Sequence, residues 1–172
     1  MKINILASLL AALFVQSATL AATGERHREA IEAWRGVRVA ELTKPDGWLS
    51  LIGLHFLQTG PNTIGSDQGN AVVLAQGPAR FGVATVGAAG KVRFEIAPGL
   101  DAKIAGQVVG SGELLLGGGA VKPTLVTAGT VSFFVIERGG KMALRVRDSA
   151  AARRTQFVGL DYFPFDPSWR IE

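Results

Sequence analysis

Glycine, proline and asparagine recur so closely after Trp48 that the apolar runs between them are short, and this spacing constrains the fold more than any other feature. "WLSLIGLHFL" (Trp48–Leu57) reads as a strand, followed by the turn "TGPNTIGSD" and two further strands in "NAVVLA" and "ARFGVATV". "GAAGKVRFEI" and "IAGQVV" read as hairpin connections. Glu137-Arg138-Gly139-Gly140-Lys141 is the clearest turn, because paired glycines supply the positive φ of a tight hairpin. Closely spaced short strands point to an antiparallel sandwich or barrel. A parallel sheet needs crossover helices, and no helical pattern is visible after Leu42.

Within "KMALRVRD", Met142, Leu144 and Val146 alternate with Ala143, Arg145 and Arg147, so the two arginines project from one surface of a sheet. "VSFFVIE" is apolar on both faces, the pattern of a central strand covered on each side. "FVGLDYFPFDPSWRIE" carries two prolines, which exclude a central strand past Tyr162. Its aromatic residues offer more apolar area than a free tail should expose. It is expected either to pack back on the sheets or to meet a further partner.

Ahead of the strands, Met1–Ala21 runs from one charge at Lys2 through an apolar stretch to small residues at Thr19 and Ala21, the layout of a secretory signal peptide. Cleavage after Ala21 leaves no expected membrane span and places the mature chain in the periplasm or outside the cell. "GERHREAIEAWRGVRVAEL" is helical in composition, with Ile31, Trp34, Val37 and Leu42 toward one side. Lys44-Pro45-Asp46-Gly47 ends that helix. The organisation expected is thus a signal peptide at 1–21, a helix and turn at 22–47, and a β-sandwich with an aromatic end at 48–172.

The chain has no cysteine, which excludes a disulfide framework and a thiolate nucleophile. His27 and His55 are the only histidines and lack metal-ligand spacing, so neither metal nor cofactor is expected. No G-x-S-x-G elbow occurs, and "GSGELLLGGGA" lacks the lysine and helix of a phosphate-binding loop. The formal charge is +4, falling to +3 without Lys2. This excess is mild and no nucleic-acid partner is expected. It is nevertheless uneven: Arg138, Lys141, Arg145, Arg147, Arg153 and Arg154 fall in one stretch against Asp148 alone, a composition that attracts anions.

"IEAWRGVRVAEL", "PDGWLSLIGLHFLQTGPNTIGSD", "VVLAQGPARFG", "FFVIERGGKMALRVRD" and "FVGLDYFPFDPSWRIE" closely resemble the bacterial domain-of-unknown-function 1684 family across nearly the whole mature chain. The resemblance implies no known reaction. Members of that family continue past the W-R of the last motif, so the chain resembles their front half, and the aromatic tail would be an interface with the second half. Asn62 to Asp148 also resembles, more weakly, the forkhead-associated sandwich, whose loops grip phosphothreonine. Here Gly65-Ser66 and Pro78-Ala79-Arg80-Phe81 stand where that family places its phosphate contacts, leaving Arg80 as the guanidinium.

The function expected is a binding or interaction module for an anionic envelope component or protein partner. Arg80, Arg145 and Arg147 are its binding residues. The alternative is the front half of a hydrolase-like enzyme sharing its site with a second half, with Asp46, His55 and Asp161 as acid-base candidates. The stretch Asn62 to Gly82 is read as turn chemistry over Gly65–Asn70, with Arg80 as an anion contact.

Overall fold

Gly139 and Gly140 take φ values of 59° and 73° and join two long strands, β9 (Val131–Arg138) and β10 (Lys141–Asp148), in unbroken antiparallel register from Arg138↔Lys141 to Val131↔Asp148. A two-residue turn of that hand follows the natural strand twist. Around this hairpin the computed structural model, which describes residues 24–117, 121–166 and 168, builds a mainly β body. The signal-peptide expectation at 1–21 and the W-R of the last motif lie outside the described residues. Two compact units are present, one from residues up to Glu41 together with the tail from Val158, the other from Leu42–Phe157.

In the second unit, ten strands lie in two five-stranded sheets among the described residues. One has the order β1-β10-β9-β8-β6, where β1 is Leu51–Phe56, β6 Lys103–Ile104 and β8 Val126–Ala128. The other has the order β3-β2-β4-β5-β7, with β2 Gly60–Gly65, β3 Val72–Val73, β4 Gly82–Val86, β5 Val92–Ile96 and β7 Ser111–Leu114. Trp48–Ser50 was expected to open the first strand but forms a turn of 3-10 helix, which the Ser50 hydroxyl closes by donating to the Gly47 carbonyl at 2.7 Å.

Pairing is antiparallel except between β2 and β3, where Ile64↔Val72 and Gly65↔Val73 run parallel. This corrects the fully antiparallel expectation. Parallel neighbours ordinarily need a long crossover. Here β3 is two residues long, and a tight loop brings the chain round. Asp67 Oδ1 accepts from the Gly69 N–H at 2.8 Å, and Asn70 Nδ2 donates to the Asp67 and Ala79 carbonyls.

Alternation sends Leu144 and Val146 of β10, Phe133 and Val135 of β9, and Ile64, Ala84, Val92 and Phe94 of the other sheet into one shared core. At its centre Phe133 sits edge-on to Phe81 and to Phe94, with ring centroids 5.1 Å apart in each pair. Asn62, buried among apolar neighbours, is satisfied by Gln58, Gly60 and Ala84 and serves the fold. The central-strand reading of "VSFFVIE" holds at Phe134, which is buried on the face away from that core.

In the first unit, residues 24–43 are described as helix, α1, of which the part up to Glu41 belongs here. Its covered stripe differs from the expected one: Trp34 is 58% and Val37 61% exposed, whereas His27, Ile31 and Arg35 are half-buried. The aromatic tail packs along the half-buried stripe, with Trp34 edge-on to Tyr162 at 6.2 Å. Arg35 donates to the Phe163 carbonyl at 2.9 Å and lies over the Tyr162 ring at 4.5 Å, while His27 meets Phe165 edge-on. The tail's described partner is thus α1.

Replacing Phe133 with alanine removes the ring that joins both sheets. We expect an unfolding free energy lower by about 3–5 kcal/mol, read from the urea midpoint. A loss below about 1 kcal/mol would show that the three-ring contact does not hold the sheets together.

Candidate functional site

β10 sets the geometry of one candidate surface. Because side chains alternate, Arg145 and Arg147 emerge on the side opposite Leu144 and Val146, and the hairpin register puts Arg145 beside Phe134 and Arg147 beside Ser132. On the other flank, Leu54 of β1 lies opposite Arg145. Each guanidinium stands over a ring, Arg147 over Phe134 at 4.8 Å and Arg145 over Trp48 at 5.7 Å. Neither has a carboxylate within 4.0 Å among the described residues, and the Arg147 Nε is buried with no hydrogen-bond partner. Trp48, Leu54 and Phe56 remain 65%, 39% and 49% exposed and surround the pair with apolar area.

The short helix α2 (Ala152–Thr155) fixes the segment that leads into this surface. Arg154 donates through Nε to the Ser149 carbonyl at 2.6 Å and through Nη1 to the Thr43 carbonyl at 3.0 Å. Asp46 and Trp48 follow within a few residues. Burial lowers the Arg147 pKa from its ordinary value, Asp46 opposes that shift, and neighbouring Arg145 adds to it. An arginine nonetheless stays charged throughout the physiological range. The basic cluster of the sequence therefore divides into two residues beside the hairpin turn (Arg138, Lys141), two on the strand, and two on α2.

Arg80 is elsewhere. It ends the loop before β4 on the other sheet and lines a cavity of about 490 Å³ with Asp67, Asn70, Thr63 and Glu95. Gly65 and Gly82 make this corner possible, since a Cβ at either would collide with a backbone carbonyl, that of Ala79 or Glu95 respectively. The segment can therefore lie close enough for Ser66 and Asp67 N–H to donate to the Pro78 and Ala79 carbonyls at 2.8 and 3.1 Å.

The acid-base candidates are distributed as follows. His55, on β1 opposite core-facing Leu144, curls over Gly53, and burial lowers its pKa. Asp46 is felt by Arg147, which stands on β10 on the opposite face of the same sheet. Asp161 belongs to the other compact unit. Among the described residues no group of three or more His, Cys, Asp or Glu side chains could hold a metal ion, and no helix is long and apolar enough to cross a membrane.

Sequence reasoning did not single out Trp48, Phe134, Asp67 or Glu95. For Phe134 a signal existed: a two-residue turn at Gly139-Gly140 already fixes Phe134 opposite Arg145. No protein-family model matches the chain, and no curated protein matches it.

Gly65→Ala is expected to lower unfolding free energy by about 1–3 kcal/mol, whereas Gly110→Ala, whose Cβ would meet nothing within 4 Å, should stay within about 1 kcal/mol of the parent. Equal effects would mean that the corner is not closely packed. For His55 the folded state resists the proton that the unfolded chain accepts near 6.5. Stability from this group is present above 6.5 and is lost as pH falls toward the lowered folded value. The stability of the parent relative to His55→Gln should therefore decline as pH drops below 6.5, and parallel profiles would contradict the burial of this ring.

Proposed function

We propose that this chain is an exported binding module that holds an anionic component of the cell envelope on the Arg145–Arg147 surface. One observation carries the reading: two neighbouring guanidinium groups lie over aromatic rings, with no carboxylate in ion-pairing distance among the described residues. A planar guanidinium offers a fork of donors to carboxylate, phosphate or sulfate, and stacking on a ring holds that fork in place at reduced entropic cost. Exposed Trp48, Leu54 and Phe56 suit a partner with apolar parts beside its charges. The charge, apolar run and small residues of Met1–Ala21 support export.

Two sheets around one core support reading the body as a β-sandwich, and the turn and strand pattern from Asn62 supports a forkhead-associated type. Arg80 is not part of the binding surface in this reading, because it lines the separate cavity at Asp67 and Glu95.

Retention on phosphocellulose tests the reading. The parent should elute at distinctly higher salt than Arg145→Gln/Arg147→Gln, with affinity for the matrix at least about tenfold higher. A control double variant, Lys91→Gln/Lys103→Gln, loses the same charge from exposed positions in neither site and should elute near the parent. Equal shifts in the two double variants would reduce the effect to net charge and reject the surface.

A further inference from the structure

The cavity at the end of β2, β4 and β5 holds charges of both signs that do not neutralise one another. Arg80 enters from one side, and Asp67 and Glu95 line the same space, yet no carboxylate comes within 4.0 Å of the Arg80 guanidinium among the described residues. One Asp67 oxygen accepts from the Gly69 N–H, and the Glu95 carboxylate has no hydrogen bond or ion pair among the described residues. The remaining wall is partly apolar, from Val83, Ile96 and Pro98. A space of about 490 Å³ has the size of a small-molecule site.

We propose that this cavity binds a small zwitterion, a molecule with an ammonium group and an anionic group a few bonds apart, of the size of a dipeptide. Arg80 takes the anion through charge-assisted hydrogen bonds, and Glu95, aided by Asp67, takes the ammonium. A simple anion would face the Glu95 carboxylate and the remaining Asp67 oxygen, and a simple amine would leave Arg80 without a counter-charge. Only a ligand carrying both charges satisfies the lining, and the apolar wall accommodates a short aliphatic side chain. The site is separate from the Arg145–Arg147 surface and does not depend on its function.

The test is titration of the ¹⁵N-labelled chain with L-alanyl-L-alanine and with O-phosphoethanolamine, following the backbone amides of Asp67–Asn70, Arg80 and Glu95. Saturable shifts confined to these amides are expected with at least one probe, and the stronger of the two identifies the anion as carboxylate or phosphate. N-acetylation of the dipeptide, or amidation of its carboxylate, should weaken a dipeptide response about tenfold, as should Arg80→Gln or Glu95→Gln for either probe. Both substituted side chains are exposed, so these variants should keep the parent's amide spectrum away from the cavity. Absence of saturable shifts with both probes, an undiminished response to both blocked dipeptides, or an undiminished response in both variants would overturn the proposal.

Discussion

Edge-on contact of Phe133 in one sheet with Phe94 of the other and with Phe81, the residue just before β4, is the interaction on which the β body depends. Each of these rings is fully buried, and each carries more apolar area than any aliphatic neighbour. Sheets of this kind expose one face unless something covers it, and here each covers the other. The polar demands of the interior are correspondingly few. Ser50, Asn62 and Asp148 are buried and each is hydrogen-bonded to neighbouring backbone, which leaves hydrophobic burial as the dominant favourable contribution.

That packing determines what the outer surface can present. Once Leu144 and Val146 are committed to the core, the two-residue period of the strand forces Arg145 and Arg147 outward on the same side. Their aromatic supports come from two different sources. Phe134 arrives through the hairpin, and Trp48 through a 3-10 turn ahead of β1. The surface is therefore a consequence of core registration, with α2 and its Arg154 hydrogen bonds holding the incoming segment in place.

Much of this was legible because it is local. The glycine pair announced the β9–β10 hairpin, and the alternation in "KMALRVRD" announced which residues would face the core. What sequence alone did not give is non-local. The half-buried stripe of His27, Ile31 and Arg35 follows from Arg35 and His27 engaging Tyr162, Phe163 and Phe165, residues more than a hundred positions away. The parallel β2–β3 pairing depends on side-chain hydrogen bonds from Asp67 and Asn70, which periodicity does not register. Arg80 fell into one group with Arg145 and Arg147 on chemistry alone, whereas it lies in the loop before β4 of one sheet and they lie on β10 of the other. The cavity brings Glu95 near Arg80 through the β4–β5 hairpin, whose register follows from neither residue's own surroundings in the chain.

The sheet margins carry a consequence of their own. At one margin each sheet ends in a strand of two residues, β6 or β3; at the other stand β7, four residues long, and β1, whose ladder is interrupted between Leu51 and Gly53. A foreign strand seeking to extend either ladder would find only brief or broken rows of backbone donors and acceptors. The fold thereby guards itself against edge-to-edge polymerisation, a safeguard suited to a chain with no cysteine cross-links to keep its sheets closed.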